Sequence, residues 1–155
     1  MKMLIIGIDG GDPKIFRRFD MPFLQNLSEQ GTYIPVTQHP LERGWASMLT
    51  GKRPVETLGL FMKPVMNSRP ELTFKYTLAD MLDNPNVKPL WRMAEEKGYR
   101  VGFMNVPTTF PAPNVDGFFV SGAGGGLNKV EGIPEAMCYP PELKKTLEDK
   151  SYIVD

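Results

Sequence analysis

Cysteine and histidine each occur once in the 155 residues, as Cys138 and His39. A single thiol excludes an internal disulfide framework and a cysteine metal cluster. Net charge is also missing, because 18 basic residues balance 18 acidic ones. The chain therefore has no electrostatic reason to take nucleic acid or an anionic membrane as its partner. No apolar run approaches the length that crosses a bilayer, and the first residues lack the charged-then-apolar layout of a signal peptide. The expected compartment is the cytoplasm. Neither a low-complexity segment nor an internal repeat is present. The length suits one core of ordinary size, so a single domain over 1–155 is expected.

What is present starts with Met3-Leu4-Ile5-Ile6-Gly7-Ile8. This continuous apolar run is too short for an independent helix and reads as a strand buried on both faces. Polarity then flips to Asp9-Gly10-Gly11-Asp12-Pro13. Ligand crevices of open α/β sheets lie outside the carboxyl ends of strands. Asp9 is thus placed either to hold a cation or to cap a turn. Fifteen glycines and fifteen prolines imply short elements joined by defined loops. Pro13 to Phe19 reads as a turn or short helix. In the next helix Asp20 is the cap, Pro22 sits in the first turn, and Phe23, Leu24 and Leu27 share one face. Gly31 supplies a left-handed stop. Thr32 to Thr37 reads as a second strand, completing a right-handed βαβ unit.

Residues 37 to 54 form a polar loop leading into a short helix, Trp45 to Thr50, closed by Gly51. Arg43 offers a forked donor for phosphate oxygens, or else pairs with Glu42 in solvent around a packing Trp45. Val55 to Pro70 lacks periodicity and reads as a Met-rich covering loop, with a substrate lid as the sharper alternative. Thr77 caps a short helix through Leu82, and Pro89 to Lys97 is a helix stopped by Gly98. Val101 to Val106 reads as a third strand with Asn105 at its rim, and Phe118 to Val120 as a fourth. Ser121 to Lys129 lacks the glycine spacing of a dinucleotide loop and the Gly-Lys-Ser/Thr of a P-loop, so it reads as a flexible loop. Pro140 to Asp149 is an amphipathic helix through Leu143 and Leu147. Tyr152 to Val154 is β-prone.

Three stretches, taken together, carry a resemblance. They are Gly7-Ile8-Asp9-Gly10, then Gly44-Trp45-Ala46-Ser47-Met48-Leu49-Thr50-Gly51-Lys52-Arg53-Pro54, then Lys88-Pro89-Leu90-Trp91 leading to the Asn105-Val106-Pro107 turn. Thr109-Phe110-Pro111, Gly117 to Gly122 and Tyr139 to Leu143 follow in matching order. The chain resembles the type I phosphodiesterase/nucleotide pyrophosphatase branch of the alkaline phosphatase superfamily over nearly its whole length. The resemblance implies an α/β fold with a mostly parallel sheet and helices on both faces. It implies hydrolysis of a small phosphoester by a Thr or Ser nucleophile flanked by divalent metal ions, Zn or Mn. Asp9 matches the first-strand metal ligand, while Arg43 and Asn105 are placed to meet substrate oxygens.

Two departures accompany the resemblance. The family's nucleophile position, counted back from Thr50-Gly51, falls on Leu41, and Thr37 is the nearest upstream hydroxyl; Ser47 lies on the helix as a packing residue. With His39 alone, several imidazoles cannot be shared between two zinc ions; carboxylates alone suit a harder ion. The expectation is an amino-terminal half of such a domain, catalytically incomplete by itself. It would be completed by a carboxy-terminal half-domain or a homo-oligomer. The alternative expectation is a non-catalytic binding or assembly module that pairs through its sheet edge.

Overall fold

The computed structural model describes residues 2–36, 43–60, 63–66, 68–73, 76–122 and 132–152. The chain divides into two compact units, residues 1–37 and residues 38–155.

Two helices organise the amino-terminal unit. Helix α1 (Pro13–Arg18) begins where the Asp12 carboxylate accepts from the Lys14 N–H at 2.7 Å, with Pro13 in the first turn. Helix α2 (Pro22–Gln30) starts after Met21 rather than Asp20, and no side chain caps it. The Gln25 amide donates to the Phe16 and Phe19 carbonyls at 3.0 and 3.2 Å, fastening the two helices together. Gly31 ends α2 in an extended conformation at φ −101°, so the expected left-handed stop is not used. Phe23 and Leu27, two of the three residues read as one apolar face, are exposed.

Neither strand expected in this unit is assigned. Met3 to Ile8 and Thr32 to Val36 form neither helix nor strand, and their large apolar side chains are exposed. Strand propensity reflects the surface a segment packs against more than an intrinsic backbone preference. Among the described residues no neighbour pairs with either stretch. The βαβ unit read from the sequence is therefore not among the described strands.

The larger unit is a mixed α/β structure. Helix α3 (Gly44–Thr50) forms as expected and ends at Gly51, whose φ of +66° suits a residue without Cβ. Thr50 donates its hydroxyl back to the Ala46 carbonyl at 2.7 Å. The stretch expected to be one covering loop instead contains α4 (Pro54–Thr57) and an antiparallel hairpin of β1 (Lys63–Met66) and β2 (Pro70–Thr73). A two-stranded ribbon carries little periodicity, which hid it. Helix α5 (Leu78–Met81) starts where the Asp80 carboxylate accepts from the Thr77 N–H at 2.7 Å. Helix α6 (Leu90–Glu95) follows Pro89, and Gly98 stands beyond it at φ +75°.

The second sheet has the order β3 (Val101–Val106), β4 (Gly117–Ser121), β5 (Cys138–Tyr139). Strands β3 and β4 run parallel, and β4 and β5 antiparallel. Trp91 from α6 meets Phe103 and Phe119 edge-on at 5.6 and 5.2 Å, and the two phenyl rings stack at 5.0 Å. This aromatic centre joins Ala46, Leu49, Tyr76, Leu78 and Met81 in the main core. A second cluster of Val120, Ile133, Met137, Cys138 and Leu147 seats α7 (Leu143–Asp149). The other face of the parallel pair is open: Met104 is 51% and Phe118 44% exposed. Among the described residues no helix is long and apolar enough to cross a membrane.

Candidate active site

Asp9 occupies the second position of a tight turn in the amino-terminal unit. The Gly11 N–H donates to the Ile8 carbonyl at 3.1 Å, and Gly10 takes φ +63°. A glycine at the third position is what a turn with positive φ there requires. The Asp9 side chain is exposed, while Asp12 is committed to capping α1. Thr37, the candidate nucleophile, lies outside the described residues, as do His39 and Leu41.

Arg43 stands immediately before α3 and is more deeply engaged than a solvated loop residue would be. Its backbone N–H donates to the Gly59 carbonyl at 2.6 Å, and its Nε donates to the Leu60 carbonyl at 3.0 Å. The guanidinium lies over the Tyr76 ring, 5.0 Å from the centroid. Burial pulls the guanidinium below its ordinary pKa, opposed by Tyr76 and Asp80 nearby. Tyr76 is itself buried and donates its hydroxyl to the Thr57 carbonyl at 2.6 Å. Burial pushes this phenol up from 10.0 to about 12. Arg43 and Tyr76 thus clamp the 57–60 segment against the start of α3. Nothing in the sequence singled out Tyr76; its signal is a tyrosine two residues ahead of a buried leucine, which core packing alone also explains.

Asn105 lies at the carboxyl end of β3, as expected. It is the extra residue of a β-bulge, since the pairing steps from Met104–Val120 to Val106–Ser121 around it. Its φ is +55°, a region that asparagine tolerates better than most residues. The bulge leaves the side chain exposed at the rim where β3 and β4 end. Behind it, the Thr109 hydroxyl donates to the Val106 carbonyl at 2.6 Å, and the Gly122 N–H donates to the same carbonyl at 3.0 Å. At the far end of this turn the Leu78 N–H donates to the Phe110 carbonyl at 2.9 Å. The Tyr76–Leu78 segment therefore touches both the Arg43 clamp and the turn that follows Asn105.

The metal ions implied by the resemblance need several ligands converging on one point. Among the described residues no group of three or more His, Cys, Asp or Glu side chains is arranged to hold an ion. The described residues therefore do not furnish a complete metal site.

The family model of type I phosphodiesterase / nucleotide pyrophosphatase matches residues 3–151. No curated protein and no solved structure matches the chain. The matched stretch contains the Asp9 turn, the Arg43 clamp with α3, and the β3 bulge. On that match, the chain belongs to the type I phosphodiesterase / nucleotide pyrophosphatase family.

Proposed function

We propose that this chain serves the hydrolysis of a small phosphoester, with Asp9, Thr37, Arg43 and Asn105 as its contribution to the site. In this reading the Thr37 oxygen bonds to phosphorus in line as the bond to the leaving alcohol breaks, that alcohol taking up the hydroxyl proton. Water then cleaves the threonine–phosphorus ester, restoring the hydroxyl and releasing phosphate from a monoester or a phosphomonoester from a diester. Arg43 and Asn105 donate to the non-bridging oxygens, and Asp9 contributes one carboxylate to a divalent cation, Zn or Mn. One histidine among 155 residues leaves the chain catalytically incomplete alone, so further ligands come from a carboxy-terminal half-domain or a second copy. The complete fold is then a mostly parallel sheet with helices on both faces, at work in the cytoplasm. The observation that carries the reading is the family match over residues 3–151.

A second reading, a non-catalytic module that assembles through its sheet, has its own support. Strand β3 ends the order β3-β4-β5, and Met104 and Phe118 are exposed beside it. Parallel strands are ordinarily covered on both faces. Hydrolysis of a nitrophenyl phosphodiester with Mn²⁺ or Zn²⁺, over a range of protein concentrations, separates the two. With the site completed by a second copy, the hydrolase reading expects metal-dependent turnover that rises in specific activity with concentration and is lost in Asp9→Ala. Absence of turnover at every concentration, with reversible self-association retained, supports the assembly module instead.

A further inference from the structure

The turn after β3 holds a residue with two unexplained penalties. Thr108 has φ +68°, and a β-branched side chain in the left-handed region is a steric outlier. The residue is 4% exposed, and its sealed hydroxyl has no hydrogen-bond partner. A buried hydroxyl without a partner costs free energy that a methyl group in the same place does not. Three residues upstream, the bulged Asn105 also has positive φ, yet its side chain is exposed.

The flanks of this turn are rigidly held. Val106 is fixed through its carbonyl by Thr109 and Gly122, and Ser121 donates its hydroxyl to the Thr109 carbonyl at 3.0 Å. Gly122 packs so closely that a Cβ there would lie 2.5 Å from the Val106 carbonyl. Strain of this kind persists only where the surroundings over-determine it, and it concentrates at ligand clamps. The turn also lies at the carboxyl ends of two parallel strands, the rim at which open α/β sheets bind ligands.

We propose that the Asn105–Thr109 turn is an oxyanion-binding turn, in which the Thr108 hydroxyl and the Asn105 carboxamide donate to phosphoester oxygens. The proposal rests on the hydrolase reading and deepens it by assigning Thr108 to the phosphate. Binding draws Thr108 out of the left-handed region while the fixed flanks hold the turn in register. The move relieves the backbone and gives the hydroxyl an acceptor. Both penalties of the free protein thereby become differential affinity for the anion. No covalent bond is made or broken.

Calorimetric titration of the full chain with inorganic phosphate tests this, alongside thermal melts without phosphate. Thr108→Val keeps the shape and the β-branch but removes the donor; Thr108→Ser keeps the donor. Thr108→Val is expected to melt at or above the wild-type temperature while losing about tenfold in phosphate affinity, as for one charge-assisted hydrogen bond. Thr108→Ser is expected to stay within about twofold of wild type, since its hydroxyl makes the same bond. A lowered melting temperature in Thr108→Val, an unchanged affinity, or no phosphate binding by wild type would each overturn the proposal. Asp9-dependent hydrolysis with Thr108-independent phosphate binding sinks this inference alone. Thr108-dependent phosphate binding without Asp9-dependent hydrolysis sinks the hydrolase reading completed by a second copy and leaves the turn standing.

Discussion

At the scale of single residues, the Arg43–Tyr76 pair shows how one side chain's chemistry depends on another's burial. Arg43 uses its Nε on the Leu60 carbonyl and its flat face on Tyr76, so its guanidinium is held on a fixed platform. Tyr76 is held in turn by the Thr57 carbonyl. Tyr76→Phe leaves that buried carbonyl without its donor and is expected to cost roughly 1–3 kcal/mol in urea unfolding. The same residue gives the pH dependence a sign. Its folded pKa is raised from 10.0 to about 12 by burial, so the unfolded chain releases the proton first. Stability is fully present below pH 10, falls as pH climbs toward 12, and is recovered on return. Unfolding curves across that window should flatten in Tyr76→Phe relative to wild type. An equally steep decline in both proteins would place the alkaline sensitivity elsewhere.

At the scale of elements, the parallel register of β3 and β4 depends on a glycine. Gly117 sits at φ +139°, opposite Val101, and a Cβ added there would lie 1.9 Å from the Val101 carbonyl oxygen. A backbone oxygen has nowhere to retreat inside a ladder. Gly117→Ala is therefore expected to destabilise by about 3 kcal/mol or more, measured by chemical denaturation, and a change below about 1 kcal/mol, the ordinary size for a point mutation, would argue against this register. Helices were the legible elements in the sequence because their signals are local. Gly51 and Gly98 stop α3 and α6 by their own φ, and Thr77 and Asp80 meet at the start of α5. Strands were less legible because pairing partners are distant. Met3 to Ile8 has the composition of a buried strand yet no pairing neighbour among the described residues, whereas Lys63–Met66 contains Pro64 and still pairs with Pro70–Thr73. The bulge at Asn105 was invisible for a related reason. Its rim position followed from the strand end, but its positive φ follows from pairing with β4, which no local pattern encodes.

At the scale of the whole molecule, family membership and composition pull in different directions. The family match spans residues 3–151, and the family is generally metal-dependent, yet the chain has a single histidine and a single cysteine. The order of motifs was readable because it is a property of the chain as a line of residues. The ligand set was not, because converging side chains are a property of the folded arrangement; the proposed function makes Asp9 the first of them. Metal binding by this protein therefore depends first on the Asp9 carboxylate in the proposed function. Titration with Mn²⁺, followed by the loss of its free-ion electron paramagnetic resonance signal, measures the claim directly. A saturable site in wild type that disappears in Asp9→Ala, with the melting curve otherwise unchanged, is the predicted result. Equal Mn²⁺ binding by both proteins, or none by either, would contradict it.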